Sequence, residues 1–210
     1  MRSVEDPGAS STKKKRGNEM GFFAAFIISI VFLSSCTMLG TRIYNLDLPS
    51  IKERPNVGAS ASVNIILHAP RYLEQPYIAL RISSYEVEIS SDSRWDSSPA
   101  DILRETMKVS LSSSGFFAVV RTSVLTPPGF YRYEVSLRRF ERFEKGNDSF
   151  GELDFDITFL SPEGRILYTR SLLKEAKLSD RSFLSLAKFL SEALSQGVDE
   201  ANTSIVKSLP

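Results

Sequence analysis

The chain has 210 residues, of which 42% are hydrophobic and 24% are charged, a composition in the range of ordinary globular proteins. This composition excludes a disordered or a fibrous protein. The 26 basic and 25 acidic side chains nearly balance, and because no long basic stripe is available to neutralise phosphates, no nucleic acid partner is expected. One cysteine and one histidine exclude a structural disulfide and a Cys/His zinc site.

The first 35 residues have the pattern of a bacterial export signal. A basic cluster at 13–16 precedes an apolar run at 21–33, and the run is followed by Ser34, Ser35 and Cys36. At 1.5 Å per residue, a helix of this length covers about 20 Å, whereas the hydrocarbon core of a bilayer is roughly 30 Å thick. The apolar run is therefore too short for a comfortable permanent span.

Leu33-Ser34-Ser35-Cys36 is similar to a bacterial lipobox, in which a peptidase cuts before a cysteine that carries a diacylglyceryl thioether. Cys36 is the only cysteine of the chain. Because each buried methylene contributes about 0.8 kcal/mol and stable anchoring needs more than one acyl chain, a triacylated Cys36 would hold the protein on a leaflet. The alternative is an uncleaved signal anchor with Cys36 buried in the fold. Thr37, rather than an aspartate, follows the cysteine, which favours sorting to the outer membrane.

Two parts are expected after a signal peptide of residues 1–35. Residues 36–62 would form the lipidated N-terminus and a tether, because the stretch 48–62 contains two prolines, a glycine and small polar residues. Residues 63–210 would form one domain, since about 100 to 200 residues can build a single hydrophobic core.

The front of this domain has the pattern of three short strands and a helix. Stretches that are β-branched or alternate between apolar and polar residues predict strands at 63–67, 78–83 and 85–89. The sequence Ser98-Pro99-Ala100-Asp101 offers a serine N-cap, a proline in the first turn and an early acid, and it predicts a helix to about Ser113. The inward stripe of this helix is expected at Ile102, Leu103, Thr106, Val109 and Ser113.

The next segments predict a buried strand and an antiparallel meander. Gly115 can take the positive φ that ends the helix, and 116–120 is expected as the buried strand. Strict alternation at 130–144 and at 153–159 predicts a hairpin, and a third strand is expected from Arg165 to about Leu173. Matching the apolar and charged faces of the hairpin gives a register with the pairs Leu137–Ile157, Arg138–Asp156 and Arg142–Glu152.

A second helix is expected from about Asp180 to Lys207. Its apolar residues recur at spacings of three and four: Phe183, Ala187, Leu190, Leu194, Val198, Ala201 and Ile205, widened by Leu184, Leu186, Phe189 and Ala193. Gly197 is expected at a bend or a close contact. Together these elements predict an α+β fold, in which a predominantly antiparallel sheet packs against two helices as a sandwich.

Residues that could carry chemistry are sparse. His68 has no second histidine or thiol nucleophile to work with, so a surface or capping role is favoured over a catalytic one. Asp154 and Asp156 share one face of a strand, which could suit a cation or a glycosidase, but solvated charges of the sheet are the favoured interpretation. The sequence has no glycine-rich phosphate loop and no Gly-x-Ser-x-Gly, and we predict no enzymatic activity and no metal site.

Arg94 and Trp95 form the most conspicuous candidate contact site. Trp95 is the only tryptophan of the chain, and tryptophan and arginine are the residue types most enriched in binding hot spots. We expect this pair in a loop, where the guanidinium of Arg94 could stack on the indole. The alternative is that Trp95 plugs the junction between the helix and the sheet.

Several segments carry a family resemblance: Pro70-Arg71-Tyr72-Leu73-Glu74-Gln75-Pro76-Tyr77-Ile78-Ala79-Leu80-Arg81, then Tyr85-Glu86-Val87-Glu88, then Arg94-Trp95, then Gly115-Phe116-Phe117 after the helix. In this order and behind a lipobox, they resemble the ABC-type transport auxiliary lipoprotein family. A Tyr-x-Leu strand follows the lipidated cysteine in that family, and Tyr44-Asn45-Leu46 fits it, which implies a short strand within 36–62.

The resemblance implies a lipid-anchored, non-enzymatic component on the periplasmic face of the outer membrane. Its partners would be an MCE-domain protein and an ABC permease and ATPase that move phospholipid or another apolar molecule between membranes. The chain would form a homo-oligomer and carry no cofactor besides the lipid on Cys36. Residues taken as candidate partner contacts are Arg94, Trp95, Tyr72 and Arg81. The competing interpretation is a lipoprotein that scaffolds or assembles another outer-membrane machine, without a transport role.

Overall fold

The computed structural model describes residues 40–48 and 61–209. The predictions for the export signal, for Cys36 and for most of the tether lie outside the described residues. The elements in chain order are β1 (Arg42–Tyr44), β2 (Ala61–His68), a short 3-10 helix (Arg71–Glu74), β3 (Tyr77–Arg81), β4 (Val87–Trp95), α1 (Pro99–Ser113), β5 (Phe117–Thr122), β6 (Tyr131–Lys145), β7 (Asp148–Leu160), β8 (Ile166–Lys177) and α2 (Phe183–Ser208).

The sheet is organised around the long strand β6. On one side of β6, the strands β7 and β8 continue the antiparallel meander that the sequence predicts. On the other side, β2 and β3 lie end to end, and both run parallel to β6. β5 then flanks β2, while β4 and β1 flank β3. The predicted α+β class is confirmed, because this mixed, mostly antiparallel sheet packs against two helices.

The two helices cover one face of the sheet, which we call the inner face, and the opposite face is the outer face. One continuous hydrophobic core lies between the inner face and the helices. Its fully buried members include Ile65 and Ile78 of the sheet, Leu103 and Met107 of α1, and Leu190 of α2. Burial of such side chains contributes about 1.5–3 kcal/mol each, so this layer is the main stabilising element of the fold.

The start and end of α1 are as predicted, but its buried stripe is not. The hydroxyl of Ser98 accepts a hydrogen bond from the backbone N–H of Asp101 at 3.1 Å, and Gly115 has a φ of 77°. The buried stripe runs through Leu103, Met107 and Leu111, whereas Val109 is 46% exposed. The prediction was wrong at Val109 because the residues beside that stripe face the gap between the two helices instead of the sheet.

The β6–β7 hairpin forms, but the predicted register is wrong. The turn contains two residues, since Lys145 pairs with Asp148, and this already moves the pairing by one residue. A β-bulge at Arg138 moves it by one more, so that Leu137 lies opposite Phe155. The observed partners of the other misassigned residues are Val135–Ile157, Ser136–Asp156, Glu141–Glu152 and Arg142–Gly151.

The bulge also exchanges the two faces of β6. Before Arg138, the side chains of Tyr133, Val135 and Leu137 are directed to the core; after it, Phe140 is directed to the core. Glu141 therefore lies on the outer face. An uninterrupted alternation would have placed this carboxylate in the hydrophobic core.

The helix α2 is close to its predicted bounds. The predicted stripe is confirmed through Ala187, Leu190 and Leu194, but Leu184 is 56% exposed. Gly197 is at a close contact, because a Cβ there would lie 3.3 Å from the ring of Phe155. Among the described residues, no helix is long and apolar enough to cross a membrane.

Two edge regions differ from the expected strands. β5 borders the sheet, and although Phe117 is buried, Phe116 and Val119 are 46% and 37% exposed, so the expectation of a fully buried strand at 116–120 was wrong. The resemblance implies a short strand at Tyr44-Asn45-Leu46, and the structure has β1 two residues earlier, at Arg42–Tyr44, in parallel register with β4. The ring of Tyr44 meets that of Phe183 edge-on at 6.0 Å, and the N–H of Asp47 donates to the Ser191 hydroxyl at 3.1 Å, so this segment is fastened to α2.

Candidate functional site on the outer face

A buried carboxylate organises the centre of the outer face. Glu141 is fully buried, and its two oxygens accept hydrogen bonds from the guanidinium of Arg81 and from the Tyr72 hydroxyl, the latter at 3.1 Å. Parallel pairing of β3 with β6 brings Arg81 to this position, and the short 3-10 helix between β2 and β3 brings Tyr72. The structure thus joins two of the sequence-predicted contact residues through a third residue that sequence reasoning missed.

The protonation of this cluster favours a scaffold over an acid-base site. Burial and the charge of Glu141 raise the pKa of Tyr72 to about 12, so the phenol stays neutral at physiological pH. The hydrogen bond to Glu141 raises the pKa of Arg81 above its already high ordinary value, so the guanidinium stays charged. Neither group is poised to exchange a proton near neutral pH.

A second set of charges continues the outer face across β7. Glu152 lies opposite Glu141 in the ladder and accepts two hydrogen bonds from Arg139 at 2.7 and 2.9 Å. Burial is the main cause that raises the pKa of Glu152, and the bond from Arg139 opposes this effect. Next to them, Arg138 pairs with Asp154 at 2.6 Å and also with Asp156.

Asp154 and Asp156 of β7 are charges on the surface of the sheet that pair with basic side chains, which agrees with the interpretation favoured from the sequence. The side chain of the bulged Arg138 lies between Asp154 and Asp156, and the hydroxyl of Ser171 on β8 donates to Asp156. Among residues 40–48 and 61–209, no group of three His, Cys, Asp or Glu side chains could hold a metal ion. His68 is exposed at the end of β2.

Arg94 lies near the edge of the outer face, in an exposed row with Ile43 and Tyr77. It lies in β4, and not in the predicted loop, where it pairs with Ile43 of β1 and with Tyr77 of β3. Side chains that are directly opposite in neighbouring strands share a face. Ile43 is 57% exposed and Tyr77 is 42% exposed, so Arg94 stands between two exposed apolar side chains. Tyr77 and Arg81 are four residues apart on one strand, which places this row about 13 Å from the Glu141 cluster.

Trp95 points the other way. Adjacent residues of a strand face opposite sides of the sheet, so Trp95 lies on the inner face, where it is 1% exposed and meets the ring of Phe140 edge-on at 5.7 Å. The expected stacking of Arg94 on Trp95 is absent from this arrangement. The alternative interpretation, in which Trp95 plugs the junction between sheet and helix, describes the structure, and the side chain is not presented to a partner on the surface.

A groove of about 630 Å³ lies between α1 and α2, which also touch each other where the amide of Asn202 donates to the Ser110 hydroxyl at 2.7 Å. Apolar side chains from both helices and from the N-terminal segment line it: Leu46, Leu48, Ile102, Val109 and Val198. Four carboxylates also border it: Asp96, Asp101, Glu105 and Asp199. This concentration of negative charge makes the groove unsuited to a phosphate-bearing headgroup.

Comparisons with known proteins agree with this fold. The family model described as the ABC-type transport auxiliary lipoprotein component matches residues 44–202. A crystal structure of a protein from Xanthomonas campestris is similar at a TM-score of 0.65, with 19% identity over 79% of this chain and 95% of that chain. A second crystallised protein, described only as uncharacterized, is similar at 0.61, with 18% identity over 79% and 99%. At these identities the two structures show the shared fold alone. No match was found among curated proteins.

Proposed function

Because the chain belongs to the family of ABC-type transport auxiliary lipoprotein components, we propose that it is the lipid-anchored accessory subunit of an ABC/MCE-type transporter. In this role it connects an MCE-domain protein with the outer membrane while a permease and an ATPase drive the transport of phospholipid or another apolar molecule. Several copies of the chain surround the end of the MCE assembly. The family is one of transporter components and not of enzymes, and the proposed role requires docking and no reaction.

The row of Ile43, Arg94 and Tyr77 is the observation that supports docking. Interface cores are enriched in arginine and aromatic residues, and a few such residues supply most of the binding energy. Here they project from paired strands, so little side-chain and backbone freedom remains to be lost on binding. The ion cluster around Glu141 holds the neighbouring part of the same face.

The charge reversal Arg94→Glu is expected to weaken capture of the MCE protein. A hot-spot arginine contributes about 1.4 kcal/mol or more, which corresponds to about a tenfold loss of affinity. The measurement is the amount of MCE protein that co-purifies with the tagged chain from its native cells. Arg165→Glu, at an exposed arginine of the β7–β8 turn, is the matched control and should leave capture unchanged.

Two results would contradict this assignment. Capture of the MCE protein that is equal for wild type and Arg94→Glu would remove Arg94 from the interface. Recovery of only a β-barrel or a secretion component with the wild-type chain would support the scaffolding role instead. Thermal unfolding of both variants checks that the fold is intact, since both changes are at exposed positions.

The proposed anchor is a lipid on Cys36, after removal of residues 1–35 as the signal peptide. Residues 36–62 then carry the lipid and the tether, and 63–210 comprise most of the folded domain on the periplasmic side of the outer membrane. We expect mass spectrometry of the natively expressed protein to find Cys36 as the N-terminal residue with diacylglyceryl and acyl groups attached. Cys36→Ala should accumulate the uncut precursor, because the thioether is the feature that the peptidase recognises, whereas Ser35→Ala should be processed normally. An intact leader with a free thiol in the wild type would contradict the anchor.

A further inference from the structure

The segment 123–130 connects two parallel strands by an unusually short path. β5 and β6 run in the same direction on either side of β2, so the chain must step back across β2 between them. Parallel connections usually need about a dozen residues, and here eight suffice. The step is short because β5 ends beside Ile65 and β6 begins beside Val63.

A buried asparagine holds the first half of this segment in place. Asn64 is fully buried on the outer side of β2, between the core residues Val63 and Ile65. Its Oδ1 accepts from the backbone N–H of Ser123 at 3.1 Å, and the Ser123 hydroxyl donates to the carbonyl oxygen of Leu125 at 2.5 Å. Its Nδ2 donates to the carbonyl oxygen of Ser123 at 3.0 Å and to the hydroxyl of Thr126 at 3.1 Å. Both donor hydrogens and the oxygen of the amide are therefore used by the segment.

A tight turn holds the second half. The N–H of Phe130 donates to the carbonyl oxygen of Pro127 at 3.3 Å, and Gly129 has a φ of 81°. Proline at the second position and a glycine with positive φ at the third are typical of a type II turn. Because both halves are fixed, the loop would lose little conformational entropy on binding a partner or a surface.

The tip between these two fixed points is apolar and exposed. Val124 is 88% exposed and Leu125 is 82% exposed, values that only Tyr85 exceeds among the exposed large hydrophobic residues of the described chain. The sequence from 116 to 133 contains no acidic residue, although the whole chain has 25. It contains two arginines, and the guanidinium of Arg121 lies 5.5 Å above the ring of Phe130, at the base of the tip.

We propose that the loop of residues 123–130 inserts Val124 and Leu125 into the surface of a phospholipid leaflet, with Arg121 at the headgroup phosphates. Two aliphatic side chains on a rigid tip suit the boundary between headgroups and acyl chains, and the absence of acids suits a surface with anionic lipids. A protein interface would more often present an aromatic anchor at its centre. The inference rests on the proposed function in one respect, because the lipid on Cys36 keeps the domain within reach of a leaflet.

The test uses the full lipidated chain in vesicles of phosphatidylethanolamine and phosphatidylglycerol. Leu125→Cys introduces a thiol at the tip for an environment-sensitive fluorophore, and nitroxide-labelled lipid serves as the quencher. Leu184→Cys is the matched control, since Leu184 is also exposed but lies on α2, on the other side of the sheet. We expect a blue shift and lipid quenching at position 125 and not at position 184.

The possible outcomes separate the inference from the anchor on which it rests. In the wild type, Cys36 should not react with the fluorophore because its sulfur carries lipid. Labelling of the wild type would refute the anchor, and lipid quenching of Leu125→Cys in excess of the wild type would then still decide whether the loop inserts. A label at 125 that water-soluble iodide quenches as strongly as one at 184 would overturn insertion. A blue shift without lipid quenching would show that the tip meets another protein chain, and would overturn it too.

A second pair of variants tests the chemistry of the contact. The double variant Val124→Ser/Leu125→Ser should bind the leaflet about tenfold more weakly through the domain surface. In the wild type, vesicles should protect the loop from a protease, and this protection should be lost in the double variant. Arg121→Glu should reduce the blue shift at position 125 in vesicles with phosphatidylglycerol more than in vesicles of phosphatidylcholine alone. Equal effects in the two lipids would overturn the role of Arg121.

Discussion

Replacing Glu141 by alanine should lower the free energy of unfolding by about 3 kcal/mol, one of the two largest effects expected in this protein. The change leaves the guanidinium of Arg81 and the hydroxyl of Tyr72 without their shared acceptor, and the side chain of Arg81 is only 19% exposed. Removal of one member of a buried pair leaves a charge that solvent can compensate only in part. Chemical denaturation of the domain, followed by circular dichroism, measures the effect.

A double variant separates the pair from its surroundings. Combining Glu141→Leu with Arg81→Met replaces both charges by apolar groups of similar volume, and such replacements are often neutral or stabilising. The double variant should therefore be more stable than Glu141→Ala. If it is equally unstable, the loss comes from the shape of the site and not from the unpaired arginine, and the account of the cluster is wrong.

Trp95→Ala should destabilise the domain by about 4 kcal/mol, because it removes a large side chain from a core that cannot fully collapse around the gap. Trp95 is 1% exposed and packs edge-on against Phe140, at the point where β4 leads into α1. A shift of the denaturant midpoint at constant slope would identify the loss as one of stability.

Trp95→Phe is the control that separates packing from recognition. The smaller ring keeps the aromatic contact with Phe140 and should cost about 1–2 kcal/mol. It also removes the indole N–H, for which the described part of the chain offers no acceptor. Capture of the proposed MCE-domain partner should be unaffected by Trp95→Phe; a loss of capture in a stable variant would return Trp95 to the contact residues.

Both large effects come from one feature of β6. The bulge at Arg138 lets β6 present Tyr133 and Phe140 to the core on either side of the bulge while placing Glu141 on the outer face. The inner face therefore provides stability through Trp95 and Phe140, and the outer face carries the ion cluster and, about 13 Å away, the row with Arg94. This separation allows the proposed docking row to change with little effect on the core.

Several parts of this structure follow from short stretches of sequence. The capped start of α1 at Ser98 is set by hydrogen bonds within one turn of the chain. The alternation along β6 and β7 and the stripe of α2 reflect the periods of a strand and a helix, which any buried face imposes. The fold class and the family resemblance rest on such patterns, which is why they could be predicted.

The remaining features depend on residues that are far apart in the chain. Half of the shift in the register of the hairpin comes from the bulge at Arg138, which lies where β2 ends and β3 begins along the edge of β6. Glu141 is a site residue only because Tyr72 and Arg81 arrive beside it from 69 and 60 positions away. Asn64 likewise receives the loop of Ser123 from 59 positions away. Local periodicity indicates which face of a helix or strand is buried, but it does not indicate which neighbouring element packs against that face. The packing partner depends on the arrangement of the whole sheet.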